Sequence, residues 1–171
     1  MKRDNRRAFR SWIELSKNSL FHNLRLFRKA IGKKVKLAAV VKANAYGHGL
    51  KEIISLLREK VDLFAVDSLE EALAIRGIDL QIPILIMGYL PLADLSLPIE
   101  KKISFVVYNL ETLKKIIALK LTLPAQIHLK IETGLNRQGI RRKDLRPFLR
   151  LIKKYRKYFL LEGISTHFAN I

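Results

Sequence analysis

Ala39-Val40-Val41-Lys42-Ala43-Asn44-Ala45-Tyr46-Gly47-His48-Gly49 lies between an apolar run and a helical pattern. Upstream, Val35-Lys36-Leu37-Ala38 extends the run backwards, so residues 35–41 read as a short buried strand. Lys42 ends that run, Gly47 and Gly49 mark a turn, and residues 50–58 then carry the apolar spacing of a helix. Strand, turn and helix in succession are the unit of an α/β fold. The lysine therefore falls at the carboxyl end of a buried strand, where such folds place their chemistry. A lysine there either reaches solvent or loses its proton to desolvation and becomes a nucleophile toward carbonyl compounds. Taken alone it reads as a solvated surface residue, as most lysines do.

The same unit recurs on both sides of this stretch. Ser11-Trp12-Ile13-Glu14-Leu15 alternates and reads as a short strand. Ser16 is placed to cap a helix in which Leu20, Asn23, Leu24 and Phe27 share a face, and Gly32 ends it. Further strands are expected at residues 62–67, 82–88, 103–108, 124–132 and 160–168. Ser68 caps a helix that Gly77 closes, Asn109 caps one over residues 110–119, and a last helix covers about 143–158. Residues 90–100 contain two prolines and leave room only for a short helix. The connections are long enough for parallel crossovers, which makes this a parallel α/β fold. An open doubly wound sheet and a barrel both satisfy the pattern.

In the fifth strand Ile127, Leu129 and Ile131 point one way, and His128, Lys130 and Glu132 point the other. One face suits a helix layer. The other is ionisable, unlike the branched apolar filling of an ordinary barrel. The turn Thr133-Gly134-Leu135-Asn136-Arg137-Gln138-Gly139-Ile140 follows, and Ser165-Thr166-His167-Phe168 ends the sixth strand.

Composition bounds the rest. The chain has 171 residues, enough for one domain but fewer than the roughly 250 of a usual eight-fold barrel. With no cysteine there is neither a disulfide framework nor a thiolate metal site, and no metal site is expected. No apolar run reaches the roughly 18 residues of a membrane helix. The basic N-terminus, Met1 to Arg10, lacks the apolar core of a secretory signal, so a cytoplasmic protein is the expectation. A net charge of +18, from 33 Lys+Arg against 15 Asp+Glu, can attract nucleic acid. The cations are spread along the whole chain without a nucleic-acid-binding motif, which reads as a solvated basic surface.

Lys42-Ala43-Asn44-Ala45-Tyr46-Gly47-His48-Gly49 closely resembles the pyridoxal 5′-phosphate (PLP) lysine signature of alanine racemases. The stretch from His128 to Gly139 is similar to that family's second signature, and Ser165-Thr166-His167-Phe168-Ala169 to its third. Trp12-Ile13-Glu14-Leu15, with Leu20 and Asn23, resembles its opening. The resemblance implies a (β/α)8 barrel of the TIM type, of which this chain holds about six of eight strand–helix units. It implies that Lys42 carries PLP and serves as a catalytic base, that Tyr46 reaches the cofactor phosphate, and that Arg137 hydrogen-bonds its phenolic oxygen. It makes Lys130 a candidate for carbamylation, which would orient Arg137, and sets His167 beside the cofactor ring. Glu132 stands where the family commonly has aspartate, and Ile171 where it has a small residue. The implied reaction is the isomerisation of L-alanine and D-alanine, which supplies D-alanine for peptidoglycan. The implied partners are alanine and, in full-length form, a second copy of the chain, with neither membrane nor specific nucleic acid. The last two barrel strands and the C-terminal β domain of that family, including the base for the opposite face, have no counterpart here. Two other readings are a PLP-binding barrel without racemase activity and a basic, non-enzymatic nucleic-acid-binding module.

Overall fold

The computed structural model describes residues 10–169; the basic residues before Arg10 and Ile171 lie outside it. Among the described residues six strands form one sheet: β1 (Ala38–Val40), β2 (Leu63–Val66), β3 (Ile84–Ile86), β4 (Ser104–Val107), β5 (Ala125–Lys130) and β6 (Phe159–Ser165). Every neighbouring pair is parallel, and the strands lie side by side in chain order. That order decides between the two windings left open by the sequence. A doubly wound sheet reverses direction at a switch point. This sheet never reverses, so right-handed crossovers put every connecting helix on the same face. It is an α/β sheet of barrel type, with β1 and β6 at its two edges.

The helices are α1 (Lys17–Ile31), the single turn α2 (Lys42–Tyr46), α3 (Leu50–Leu57), α4 (Leu69–Ile78), α5 (Ser96–Glu100), α6 (Leu110–Leu119) and α7 (Leu145–Lys154). Strand alternation sorts the sheet into two environments. Phe64, Val66, Ile84, Ile86, Phe105, Val107, Ile127 and Leu129 face the helix layer and meet Ile54, Ile75, Leu113 and Phe148 in the main core. The opposite face is lined by Ala65, Leu85 and Val106, flanked by Leu63, Met87 and Tyr108. Burying such side chains stabilises the fold by about 1.5–3 kcal/mol each.

The caps explain where the helices start. Ser16 Oγ accepts from the Ser19 N–H, and Asn109 Oδ1 accepts from the Thr112 N–H. Ser68 and Glu71 form a capping box on α4. Two expectations fail. Residues 11–15 alternate but form no strand: Trp12 and Ile13 are 57% and 70% exposed, and an alternating segment without a ladder partner leaves its backbone to water. Gly77 does not close α4. The helix runs through it to Ile78 and stops where the Asp79 carboxylate accepts from the Gln81 and Ile82 N–H groups.

Candidate active site

Parallel strands all end on one rim, and here that rim carries Lys42 after β1, Asp67 after β2, Lys130 at the end of β5 and Ser165 at the end of β6. The Val41 N–H donates to the Ala65 carbonyl at 2.9 Å, which keeps the start of the lysine turn in line with β2. The chain then coils with the wrong hand for L-residues. Ala43, Asn44, Ala45 and Tyr46 have φ of 51°, 55°, 54° and 55°. Each such residue costs roughly 1–2 kcal/mol. The cost is offset by hydrogen bonds that satisfy the turn: Ala45 N–H to Val41 O, Gly47 N–H to Ala43 O, Gly49 N–H to Asn44 O, and Leu50 N–H to Asn44 Oδ1 at 2.8 Å. The Ala43 N–H leaves the turn and donates to Glu71 Oε1.

Lys42 is half-buried, and its Nζ lies 3.7 Å from Asp67 Oδ1. Lys130 is 8% exposed, and its Nζ donates to Gln138 Oε1 at 3.3 Å. Burial pushes the Lys130 ammonium below the ordinary lysine range, and the Arg137 and Lys42 charges push the same way, against Asp67 and Glu132. Ser165 pairs with Lys130 in the β5–β6 ladder, and its Oγ is buried with no hydrogen-bond partner among the described residues.

The loop bearing Arg137 is built as firmly as the lysine turn. A bridge between Ile131 and Ile140 pinches its base. The Glu132 carboxylate accepts from the Gly134 N–H, and backbone N–H groups, that of Asn136 foremost, hold it below the usual carboxylate range. Gly139, at φ +152°, passes so close that a Cβ would come 2.5 Å from the Glu132 nitrogen. Thr166 Oγ1 donates to the Ile131 carbonyl and meets Thr133 Oγ1 at 2.6 Å, which ties the segment before His167 to this loop.

Lys42 and Arg137 are thus each within electrostatic reach of Lys130. Tyr46 (59% exposed), Arg137 and His167 follow the strand ends on the same rim and are exposed. His128 belongs elsewhere: it faces Glu162 at 3.9 Å beside a cavity of about 610 Å³ that also reaches Lys36, Asp62 and Pro83 near the strands' amino ends. Asp67, Glu71, Gln138 and Ser165 were not singled out as site residues from sequence. Only Glu71 left a readable sign, the Ser68-x-x-Glu71 capping box. Among the described residues no group of three His, Cys, Asp or Glu side chains could hold a metal ion.

The donor set fits PLP. An amine for the aldehyde, a guanidinium, a phenol and an imidazole stand on one rim, beside a buried lysine with one long hydrogen bond and a hydroxyl without a partner among the described residues.

Known proteins are similar to this chain in sequence and in fold. The family described as alanine racemase, N-terminal domain, matches residues 15–171. Alanine racemase 2 of Caldanaerobacter subterraneus subsp. tengcongensis is 40% identical over 92% of this chain, which spans 41% of that relative. The solved alanine racemase of Clostridium difficile 630 superposes with a TM-score of 0.82 at 37% identity, over 90% of this chain and 41% of its own. A solved histidine racemase from Leuconostoc mesenteroides gives a TM-score of 0.82 at 31% identity, over 91% of this chain and 42% of its own. The chain thus spans about two fifths of the length of the relatives it matches.

Proposed function

Because this chain belongs to the family of alanine racemase N-terminal domains, we propose that it is the cofactor-bearing part of a PLP-dependent alanine racemase, with Lys42 as the lysine that carries PLP. The observation that supports this most is the rim itself: Lys42 opens a left-handed turn beside Asp67 and within electrostatic reach of Lys130, which in turn lies within reach of Arg137. Tyr46 would hold the cofactor phosphate, Arg137 would donate to its phenolic oxygen, and His167 would lie beside it. Bound there, PLP supplies an electron sink that stabilises negative charge at the α-carbon of an amino acid.

The chain's own residues supply the rest. The Lys42 amine, once free, takes an α-proton from one face of the substrate or returns it. Racemisation also needs a base on the opposite face, and no residue here is matched to that role. Net turnover therefore belongs to the longer protein. Lys130, pushed toward its neutral form, is set up to add carbon dioxide: a C–N bond forms, a proton leaves, and an anion replaces the cation. The repulsion between Lys130 and Arg137 then becomes an attraction that orients Arg137. Alanine is the substrate favoured by the relatives' identities, while the histidine racemase shares the fold, so the barrel by itself does not set the side chain. D-Alanine supply for peptidoglycan, a cytoplasmic setting and a homodimer of the longer protein complete the reading.

The test is proton exchange in heavy water. With PLP supplied, the chain should deuterate the α-carbon of one alanine enantiomer above the free-cofactor background, while net racemisation stays near that background. Lys42→Ala should abolish the excess. Exchange that Lys42→Ala leaves intact, or no excess at all, would remove this chain from the reaction.

A further inference from the structure

We infer that Glu71 is the positioning residue that holds Lys42 and Asp67 in register at the strand rim. The inference takes from the proposed function only that Lys42 is the functional lysine. Glu71 is the third residue of α4 and does the usual work of that position with one oxygen. Its Oε2 accepts from the Asp67 N–H at 2.9 Å and from the Ser68 N–H at 3.4 Å, while Ser68 Oγ accepts from the Glu71 N–H at 3.3 Å. A capping box requires no more than this. The second oxygen goes elsewhere. Oε1 accepts from the N–H of Ala43, 28 positions earlier in the chain and next in sequence to Lys42.

One carboxylate therefore grips the peptide nitrogen of Asp67 and the peptide nitrogen that follows Lys42. The Nζ of Lys42 and Oδ1 of Asp67 stand 3.7 Å apart across that grip. On its other side the Val41 N–H bonds to Ala65, so the peptide after Lys42 and the peptide before Val41 are both pinned to the second strand–helix unit. The Ala43 N–H is also one of the donors that a helical turn cannot satisfy internally. The residues after it are left-handed and costly to hold. An ionised acceptor is the strongest partner available for such a donor. Glu71 thereby joins the cap of one helix to the strained turn that aims the lysine.

Glu71→Gln separates the two roles. Glutamine is accepted in a capping box, so its carbonyl oxygen can keep α4 started. Its amide nitrogen carries only donors and cannot accept from Ala43. Amide exchange resolved residue by residue, on the chain without PLP, should show the Ala43 N–H exchanging at least about tenfold faster in Glu71→Gln, with the interior of α4 unchanged. Ser68→Ala removes the other half of the cap and should loosen α4 while leaving Ala43 protected. With PLP and borohydride, the share of adduct on Lys42 should fall severalfold in Glu71→Gln. Unchanged protection of Ala43 in Glu71→Gln, or equal loss in Ser68→Ala, would overturn the inference. A wild-type chain that takes no adduct on Lys42 would instead overturn the proposed function, since the exchange comparison does not use the cofactor.

Discussion

Lys130 shows how one residue's surroundings become chemistry. It is nearly buried, beside Arg137 and Lys42, and a single amide oxygen takes a hydrogen bond from it. Its folded-state pKa lies below the ordinary lysine value, for burial above all. In the unfolded chain the amine keeps its proton up to about pH 10.4. Between the lowered folded value and that limit the unfolded state binds more protons, so stability rises with pH across the window. In buffer freed of carbon dioxide, the melting temperature of the chain should gain on that of Lys130→Met as pH rises through that window. A constant difference would show that Lys130 carries no burial penalty. Strand alternation displayed Lys130 among three ionisable groups, and the resemblance of the stretch from His128 to Gly139 to a family signature displayed Arg137. The sequence could not display Gln138 or Ser165 as neighbours, because their relation to Lys130 depends on how the loop folds back and which strand lies beside β5.

At the scale of elements, local chemistry was the readable part. Ser16, Ser68 and Asn109 cap the helices they were expected to cap, because a short oxygen-bearing side chain before an apolar period has one good use. Asn109→Ala should lower stability by about 1 kcal/mol, read from denaturant midpoints, since Thr112 N–H loses its acceptor. No loss would mean that water replaces the cap. What failed to show in sequence was non-local. Periodicity fixes strand and helix but not the order of strands, and the barrel winding rested on family resemblance until the ladders were known. The left-handed turn was hidden for another reason: of Ala43, Asn44, Ala45 and Tyr46, only Asn44 favours positive φ, and the conformation is held by the turn's own hydrogen bonds together with Glu71 from outside it. Residues 11–15 carried a strand's alternation without a strand to pair with.

At the scale of the molecule, the strand order leaves β1 and β6 as edges, as expected for about six of eight barrel strands. Leu161 and Ile164 of β6 are 38% and 65% exposed, on a strand with no partner on its far side among the described residues. Such an edge is completed by another strand or pairs with whatever chain it meets. The candidate active site draws on strand ends from β1 to β6, so it depends on the whole sheet and not on any one strand–helix unit. The most direct test is selective trapping. The chain is mixed with excess PLP, reduced with borohydride and mapped by peptide mass. Among the many lysines of a chain with net charge +18, the pyridoxyl group should fall predominantly on Lys42, and Lys42→Ala should abolish that adduct without raising another. Adducts scattered over the surface lysines, with Lys42 no more modified than the rest, would contradict the assignment of this rim as the cofactor site.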